Sequence, residues 1–346
     1  MTKQVTAGGV TIGGGADVTV QSMTNTDTAD AEATLAQIVR LHQAGCQLVR
    51  VTVNTDKAAA ALPKLVGLSP VPLVADIHFN HRLAIRAAEA GIAKLRINPG
   101  NIGGEAHVRE LADCLRVHRI PVRIGVNAGS LEKELLRKHG APTPAALVES
   151  ALNHARLLEK YGFNDIVLSV KASSARATVD AYRLASKACD YPLHIGVTEA
   201  GTGELGIVKS AAALGALLLD GIGDTLRVSL TGDPVPEVQA GIAILRAVGL
   251  RRDFVEVISC PTCGRTEIDV EGIARRVQLS TSHIDKPLKV AVMGCVVNGP
   301  GEAREADCGI AGGSDGGVLF VKGQPPHKVE GDLYEALMEE VRRLTD

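Results

Sequence analysis

The sequence predicts an α/β protein, a (β/α)8 TIM-type barrel followed by a small α+β domain, on three observations. Between residues 18 and 229, eight short apolar runs rich in Val, Ile and Leu alternate with amphipathic stretches. This is the pattern of parallel strands buried on both faces and covered by helices. No run is followed by a GxGxxG fingerprint, which favours a barrel over a doubly wound open sheet. Beyond residue 252 the alternation stops, and two cysteine-bearing loops follow, each after an apolar run.

The eight runs are 18–21, 47–53, 71–77, 93–97, 121–126, 165–170, 193–197 and 225–229. Helical periodicity covers 31–43, 81–90, 105–117, 175–187 and 235–247, and Gly45, Gly91 and Gly249 stand where left-handed C-caps are expected. The long gap after the fifth run holds two helices, 131–138 and 145–160, parted by Pro142 and Pro144. Gly13, Gly14 and Gly15 precede the first run and read as a turn. Residues 251–253 read as a linker, which divides the chain into a barrel, 1–252, and a second domain, 253–346. In the latter, strands are expected at 254–258, 288–293 and 318–322 and helices at 270–278 and 331–344. The glycines of 312–317 read as a hairpin, since no Lys-Ser/Thr follows to make a phosphate loop.

Composition narrows the function. With 346 residues and 45% hydrophobic content the chain can bury a sizeable core. Aromatics are 2%, Trp is absent and the net charge is −2, so neither a base-stacking platform nor a global attraction to nucleic acid or anionic membrane is expected. The N-terminus has no apolar signal region and no run is long enough to span a bilayer, so a cytoplasmic protein is expected. There its seven cysteines stay reduced. Cys46, Cys114 and Cys189, on helix and strand flanks, read as small buried hydrophobes.

A barrel carries its chemistry at the C-terminal ends of its strands. The second run ends Arg50-Val-Thr-Val-Asn54, the third Asp76-Ile-His78, the fourth Arg96-Ile-Asn98 and the fifth Arg123-Ile-Gly-Val-Asn127. The sixth ends Ser169-Val-Lys171, the seventh Thr198-Glu199 and the eighth Arg227-Val-Ser229. In the second to sixth, the polar residues share parity and therefore one strand face. If that face is the lumen, Arg50, Arg96, Arg123 and Lys171 converge on one mouth, and Asp76 and Glu199 offset only part of their charge. A ligand with two phosphates would supply the rest, taken bidentately by the guanidinium forks and by Asn54, Asn98, Asn127 and Ser229. The competing reading pairs each Arg with a rim carboxylate; Arg227 is open between the two. His78 is either a core histidine or, beside Asp76, a substrate contact.

Cys260-Pro-Thr-Cys263 and Cys295, on loops held out of regular structure by Pro and Gly, make a soft metal or redox site. Either Cys308 or Glu302 can be its fourth member. Four thiolates suit structural zinc or an electron-transfer cluster, whereas a carboxylate is a ligand that a substrate oxygen can displace.

Val20-Gln-Ser-Met-Thr-Asn-Thr26, Ala75-Asp-Ile-His-Phe79, Leu95-Arg-Ile-Asn-Pro-Gly-Asn101 and Arg123-Ile-Gly-Val-Asn127 carry a resemblance. Above all, Ser259-Cys-Pro-Thr-Cys-Gly-Arg265 and Met293-Gly-Cys-Val-Val-Asn-Gly-Pro-Gly-Glu302 resemble the 4-hydroxy-3-methylbut-2-enyl diphosphate synthase family of the non-mevalonate isoprenoid pathway. The resemblance spans essentially the whole chain. It implies a two-electron reductive ring opening of 2-C-methyl-D-erythritol 2,4-cyclodiphosphate. It also implies a 4Fe-4S cluster on Cys260, Cys263, Cys295 and Glu302, with Cys308 structural. Phosphate binding is then expected from Arg50, Arg96, Arg123 and Lys171, with His78, Asn98, Asn127 and Ser229 nearby. Glu199 is the candidate proton donor and Asn298 a residue that orients substrate. A homodimer and a reduced flavodoxin or ferredoxin as electron donor are further implications. Two alternatives remain: a barrel enzyme for another phosphorylated or pterin-like substrate with structural zinc, and an iron-sulfur redox sensor that binds nucleic acid. The charge and the missing aromatics oppose the latter.

Overall fold

The computed structural model describes residues 1–297, 301, 303–313 and 316–346. Two compact units result, Met1–Leu250 and Arg251–Asp346.

The first unit opens with an antiparallel hairpin, β1 (Gln4–Ala7) and β2 (Val10–Gly13), which the sequence pattern did not reveal. Eight parallel strands follow: β3 (Thr19–Met23), β4 (Leu48–Thr52), β5 (Leu73–Asp76), β6 (Lys94–Ile97), β7 (Val122–Asn127), β8 (Ile166–Lys171), β9 (His194–Ile195) and β10 (Thr225–Leu226). Their order is β8-β7-β6-β5-β4-β3-β10-β9, and a parallel bridge between Leu168 and Leu193 closes the ring. All eight expected runs are strands. The last two are shorter than their apolar runs: two residues of each pair with one another, β10 pairs also with β3, and β9 meets β8 only through the bridge at Leu193.

Outward-facing Val49, Val51, Ala75, Leu95, Ile97, Ile124, Leu168 and Val170 are fully buried under the helices. Those helices begin where side chains can cap them. Asp30 accepts from Ala33 N–H ahead of α1 (Ala31–Gln43), and Thr55 from Ala58 N–H ahead of α2 (Asp56–Leu68). The ring continues with α3 (His81–Glu89), α4 (Glu105–His118), α5 (Lys133–His139), α6 (Pro144–Glu159), α7 (Ala175–Ala188), α8 (Gly203–Leu219) and α9 (Val235–Ala247). Thr143 caps α6, with Pro144 at its first position. Under the strands, Val5, Ala7 and Ile12 of the hairpin pack on Leu48, Val74 and Val167, so the N-terminal end of the lumen is shut by apolar contact.

In the second unit, a five-stranded sheet runs β11 (Val255–Ser259), β12 (Leu288–Met293), β13 (Cys308–Gly313), β14 (Gly316–Val321), β15 (His327–Val329). The first three are parallel, and β14 and β15 turn antiparallel. The helix Val270–Ser280 makes the crossover between β11 and β12, and the helix Leu333–Thr345 packs on β13 and β14. The glycines at 312–317 do belong to a hairpin, but its first strand, β13, lay hidden in a Gly- and Ala-rich segment with weak strand propensity. Among the described residues no helix is long and apolar enough to cross a membrane.

Candidate functional site

Strand register builds the mouth. Thr52 stands opposite Asp76, Asp76 opposite Arg96 and Arg96 opposite Arg123. One step further along, Gly125 faces Ser169, and then Asn127 faces Lys171. The shared parity thus becomes a set of layers lining a cavity of about 160 Å³. Five cations line it, Arg50, Arg96, Arg123, Lys171 and Arg227, against one carboxylate, Asp76. Of the sequence-predicted residues, His78, Asn127 and Ser229 also line it.

Asp76 is shared. Its carboxylate lies 3.1 Å from Arg96 and 3.6 Å from Arg50, with His78 Nε2 at 3.5 Å. Burial alone would raise its pKa, yet Arg50, His78 and Arg96 together hold it well below the usual carboxylate range. Arg96 also donates to the Gly125 carbonyl at 3.1 Å. Gly125 is required there, since a Cβ would stand 2.9 Å from Arg96 Nε. Gly196 does the same for Lys171, whose Nζ would be 2.7 Å from an added Cβ.

The two readings of the arginines divide among them. Arg227 is the paired kind: Glu237 of α9, itself buried, takes it bidentately at 3.0–3.1 Å and also accepts from Ser22 Oγ and Leu230 N–H. Arg123 and Lys171 are the other kind and form no ion pair among the described residues, and Arg123 Nε has no hydrogen-bond partner among them. Burial first, then repulsion from Arg50 and Arg96, pushes Arg123 well below its ordinary value. Lys171 is lowered by burial and then by Arg123 and Arg50. Burial also lowers Arg50 to about 10, with Asp76 opposing. Arg50 Nη2 and Nε also donate to the Met23 sulfur, at 2.8 and 3.1 Å, a weak acceptor. A guanidinium does not give up its proton in a protein. What these shifts express is therefore a demand for an anion.

Three expectations are modified, the first at Asn54, which is exposed and does not line the cavity. Asn98 does not line the cavity: its Oδ1 accepts from Gly125 N–H at 3.1 Å, so it holds the β7 backbone. Glu199 is exposed and does not line the cavity either, although its neighbour Thr198 does. Its backbone is left-handed, φ 53°, a strained conformation for a non-glycine residue. Asn298 and Glu302 lie outside the described residues. Sequence reasoning missed Gly125, Gly196 and Lys94. Lys94 is fully buried on β6 below the cations, and its Nζ has no partner among the described residues.

The thiol loops leave adjacent parallel strands at the same end. Ser259 pairs with Val292, so Cys260 and Cys295 emerge side by side in sequence register. Gly294 N–H donates to Cys260 Sγ at 3.2 Å, and Glu267 N–H to the Gly294 carbonyl at 2.9 Å. Cys263 N–H is held by Thr266 Oγ1 at 3.1 Å. A Cβ at residue 294 would come within 3.0 Å of Thr266, so glycine lets the loops approach. Cys263 is exposed, Cys260 half-buried and Cys295 buried. Among the described residues no three His, Cys, Asp or Glu side chains are yet gathered as a metal-ligand set. Backbone N–H donation to a cysteine sulfur from a soft-ligand loop nevertheless fits an iron-sulfur cluster. Cys308 does not share this end: it opens β13 opposite Val290, whereas Met293 faces Ala311. Three residues of strand rise, about 10 Å, separate it from the loops, and burial pushes its thiol up to about 12.

The chain matches the GcpE TIM-barrel domain over residues 2–242 and the GcpE protein C-terminal domain over 256–343. It is 57% identical to a 4-hydroxy-3-methylbut-2-en-1-yl diphosphate synthase (flavodoxin) of Caldanaerobacter subterraneus, covering 99% of this chain and 97% of the relative. The same-named protein of Geobacter sulfurreducens is 56% identical, over 99% and 98%. Among solved structures, Yersinia pestis dihydropteroate synthase superposes with a TM-score of 0.52 at 14% identity, over 72% of this chain and 98% of that one. A spore coat polysaccharide biosynthesis protein of Bacillus subtilis gives 0.53 at 11%, over 71% and 72%. These two likenesses concern the barrel fold alone.

Proposed function

The chain belongs to the GcpE family, and from that premise we propose that it is a 4-hydroxy-3-methylbut-2-enyl diphosphate synthase, an iron-sulfur oxidoreductase of isoprenoid synthesis. It opens the ring of 2-C-methyl-D-erythritol 2,4-cyclodiphosphate with two electrons from reduced flavodoxin. One ring C–O bond breaks, its electron pair staying on phosphate oxygen, and a hydroxyl leaves as water.

The observation that carries this reading is the mouth, where five cations surround one carboxylate in a buried cavity. A ligand bearing two phosphates is the complement such a site lacks. Arg123 and Lys171, which have no ion-pair partner among the described residues, are its anchors. Arg50 and Arg96 are oriented by Asp76 and take phosphate oxygens beside them, with His78, Asn127 and Ser229 completing the contacts. Asn98 acts by fixing the strand that carries Arg123. Asp76 stays ionised and keeps the arginine forks aimed into the lumen rather than at each other. Glu199, on its left-handed turn beside Thr198, delivers the proton to the departing oxygen.

Cys260, Cys263, Cys295 and Glu302 hold a 4Fe-4S cluster, which when bound supplies single electrons to the substrate. Asn298, three positions after Cys295 in the sequence, orients the substrate. Residues 1–252 form the substrate domain and residues 253–346 the cluster domain, and the enzyme works as a cytoplasmic homodimer.

Anaerobic incubation with the cyclic diphosphate and a chemical reductant, followed by product identification, tests the reading. Formation of 4-hydroxy-3-methylbut-2-enyl diphosphate is expected. Zinc without acid-labile sulfide in anaerobically purified protein would remove it, and sedimentation at equilibrium tests the dimer.

A further inference from the structure

On the outer face of the barrel, His154 of α6 is 5% exposed and joins two of the loops that follow mouth strands. Its Nδ1 accepts from Gly100 N–H at 3.1 Å, in the short 3-10 turn Pro99–Asn101 after β6. Its Nε2 stands 2.7 Å from Glu132 Oε1, in the segment after β7. Glu132 is steadied in turn by Ser150 Oγ, one helical turn before His154, at 2.8 and 2.9 Å. Gly100 fits the ring closely, since a Cβ there would lie 2.5 Å from His154 Cε1.

The two tied segments follow strands whose residues line the mouth, Arg96 of β6 and Asn127 of β7. Gly100 follows Arg96 and Asn98, and the carbonyl of Asn98 accepts from Asn101 N–H at 2.8 Å, closing the turn. Glu132 follows Asn127 by a few residues. Gly100 and Asn101 are exposed, and the first core anchor after them is the buried Ile102. Between Asn98 and that anchor, the His154 bond holds the backbone at Gly100.

We infer that His154 is a positioning residue for the substrate site, clamping the turn after β6 to the segment after β7 so that Arg96, Asn98 and Asn127 are preset for the ligand. The clamp needs one tautomer. Nδ1 must be bare to accept from Gly100, so the proton sits on Nε2 and is donated to Glu132. A second proton would place N–H against N–H and open the turn. Burial lowers the ring's affinity for that proton, while Glu132, the charged group that faces it, pulls the other way. Neither the Pro99–Asn101 turn nor Ser150 brings another charge. The clamp is thus closed at neutral pH and opens only as pH falls below the ordinary histidine range.

The inference rests on the proposed reaction, and the test separates the two. Wild-type, His154→Ala, His154→Asn and His154→Gln holoenzymes are compared for KM and kcat with the cyclic diphosphate, and for amide exchange of residues 98–104. Asn can place an oxygen where Nδ1 stands, whereas Gln can reach only towards Glu132. In His154→Ala, KM should rise about tenfold with kcat within twofold, and exchange of 98–104 should accelerate at least tenfold. His154→Asn should recover most of both, and His154→Gln should resemble Ala. In the wild type, KM should climb on the acid side where His154→Asn stays flat. Unchanged KM and exchange in His154→Ala, or an Asn variant no better than Ala, overturns the inference. A wild type that does not turn over the cyclic diphosphate instead overturns the proposed function, and the exchange data then still decide the clamp.

Discussion

The two ends of the same barrel are filled on opposite principles. At the N-terminal end, Val5, Ala7 and Ile12 meet Leu48, Val74 and Val167 in an apolar cluster. Two residues further along β4 and β5 stand Arg50 and Asp76, with Arg123 on β7 and Lys171 on β8, two cations that form no ion pair among the described residues. The floor contributes folding free energy; the mouth costs some, because buried charge is tolerated only when paired or ligated. Two successive inward-facing positions on a strand can therefore serve stability and binding separately, which is the division of labour expected of this fold.

That division can be broken at either end. Ile12→Ala should cost about 2–5 kcal/mol of stability, the usual range for truncating a fully buried aliphatic side chain, with KM unchanged. Chemical denaturation and steady-state kinetics on one preparation check it, and a raised KM would show that the floor also shapes the mouth. Arg123→Met should do the reverse, weakening substrate binding by about 2–3 kcal/mol through a lost charge-assisted contact while leaving the melting temperature level or higher. Lost stability with unchanged affinity would instead make Arg123 a structural residue.

A smaller effect is expected at Gly125→Ala. The new methyl displaces the Arg96 guanidinium and should weaken binding by about 1 kcal/mol, consistent with a strained rotamer; calorimetric titration with the cyclic diphosphate reads it. The smallest concerns protons. Lys171 in the free protein lies well below its ordinary value through burial and then its cationic neighbours, and a bound polyanion raises it again. Binding should therefore take up a fraction of a proton, and affinity should fall as pH rises through the free-state value. Titrations in two buffers of different ionisation enthalpy measure this. For folding of the free protein the sign is opposite: the unfolded chain binds more protons than the folded one at Lys171, so this contribution declines as pH falls from the unfolded lysine value through the folded one. Asp76, shifted down, behaves as an ordinary acid pair. Its contribution is present above the unfolded carboxylate value and is lost as pH falls through its folded value.

Much of this was legible beforehand, for particular reasons. The runs around Arg50, Arg96 and Arg123 alternate polar with apolar residues, and in the structure Val49, Val51, Leu95 and Ile124 do turn to the helices. The hairpin β1–β2 was not legible, because four-residue strands beside glycines carry too little pattern. Strand β13 was obscured by Gly309, Gly312 and Gly313, chosen for contact rather than propensity: a Cβ at residue 309 would lie 2.6 Å from the Ala291 carbonyl.

The sequence by itself determined the eight-fold alternation, the polar parity of the strand ends and the long cysteine motifs, because periodicity and local spacing are properties of neighbouring residues. Only the tertiary structure decided which cations are paired. Arg227 meets Glu237 across from a helix, while Arg96 and Arg123 stand side by side through register, and His154 reaches Gly100 from the outer ring. Register and packing join positions far apart in the chain, and a periodic pattern contains no information about which distant strand or helix a side chain will face.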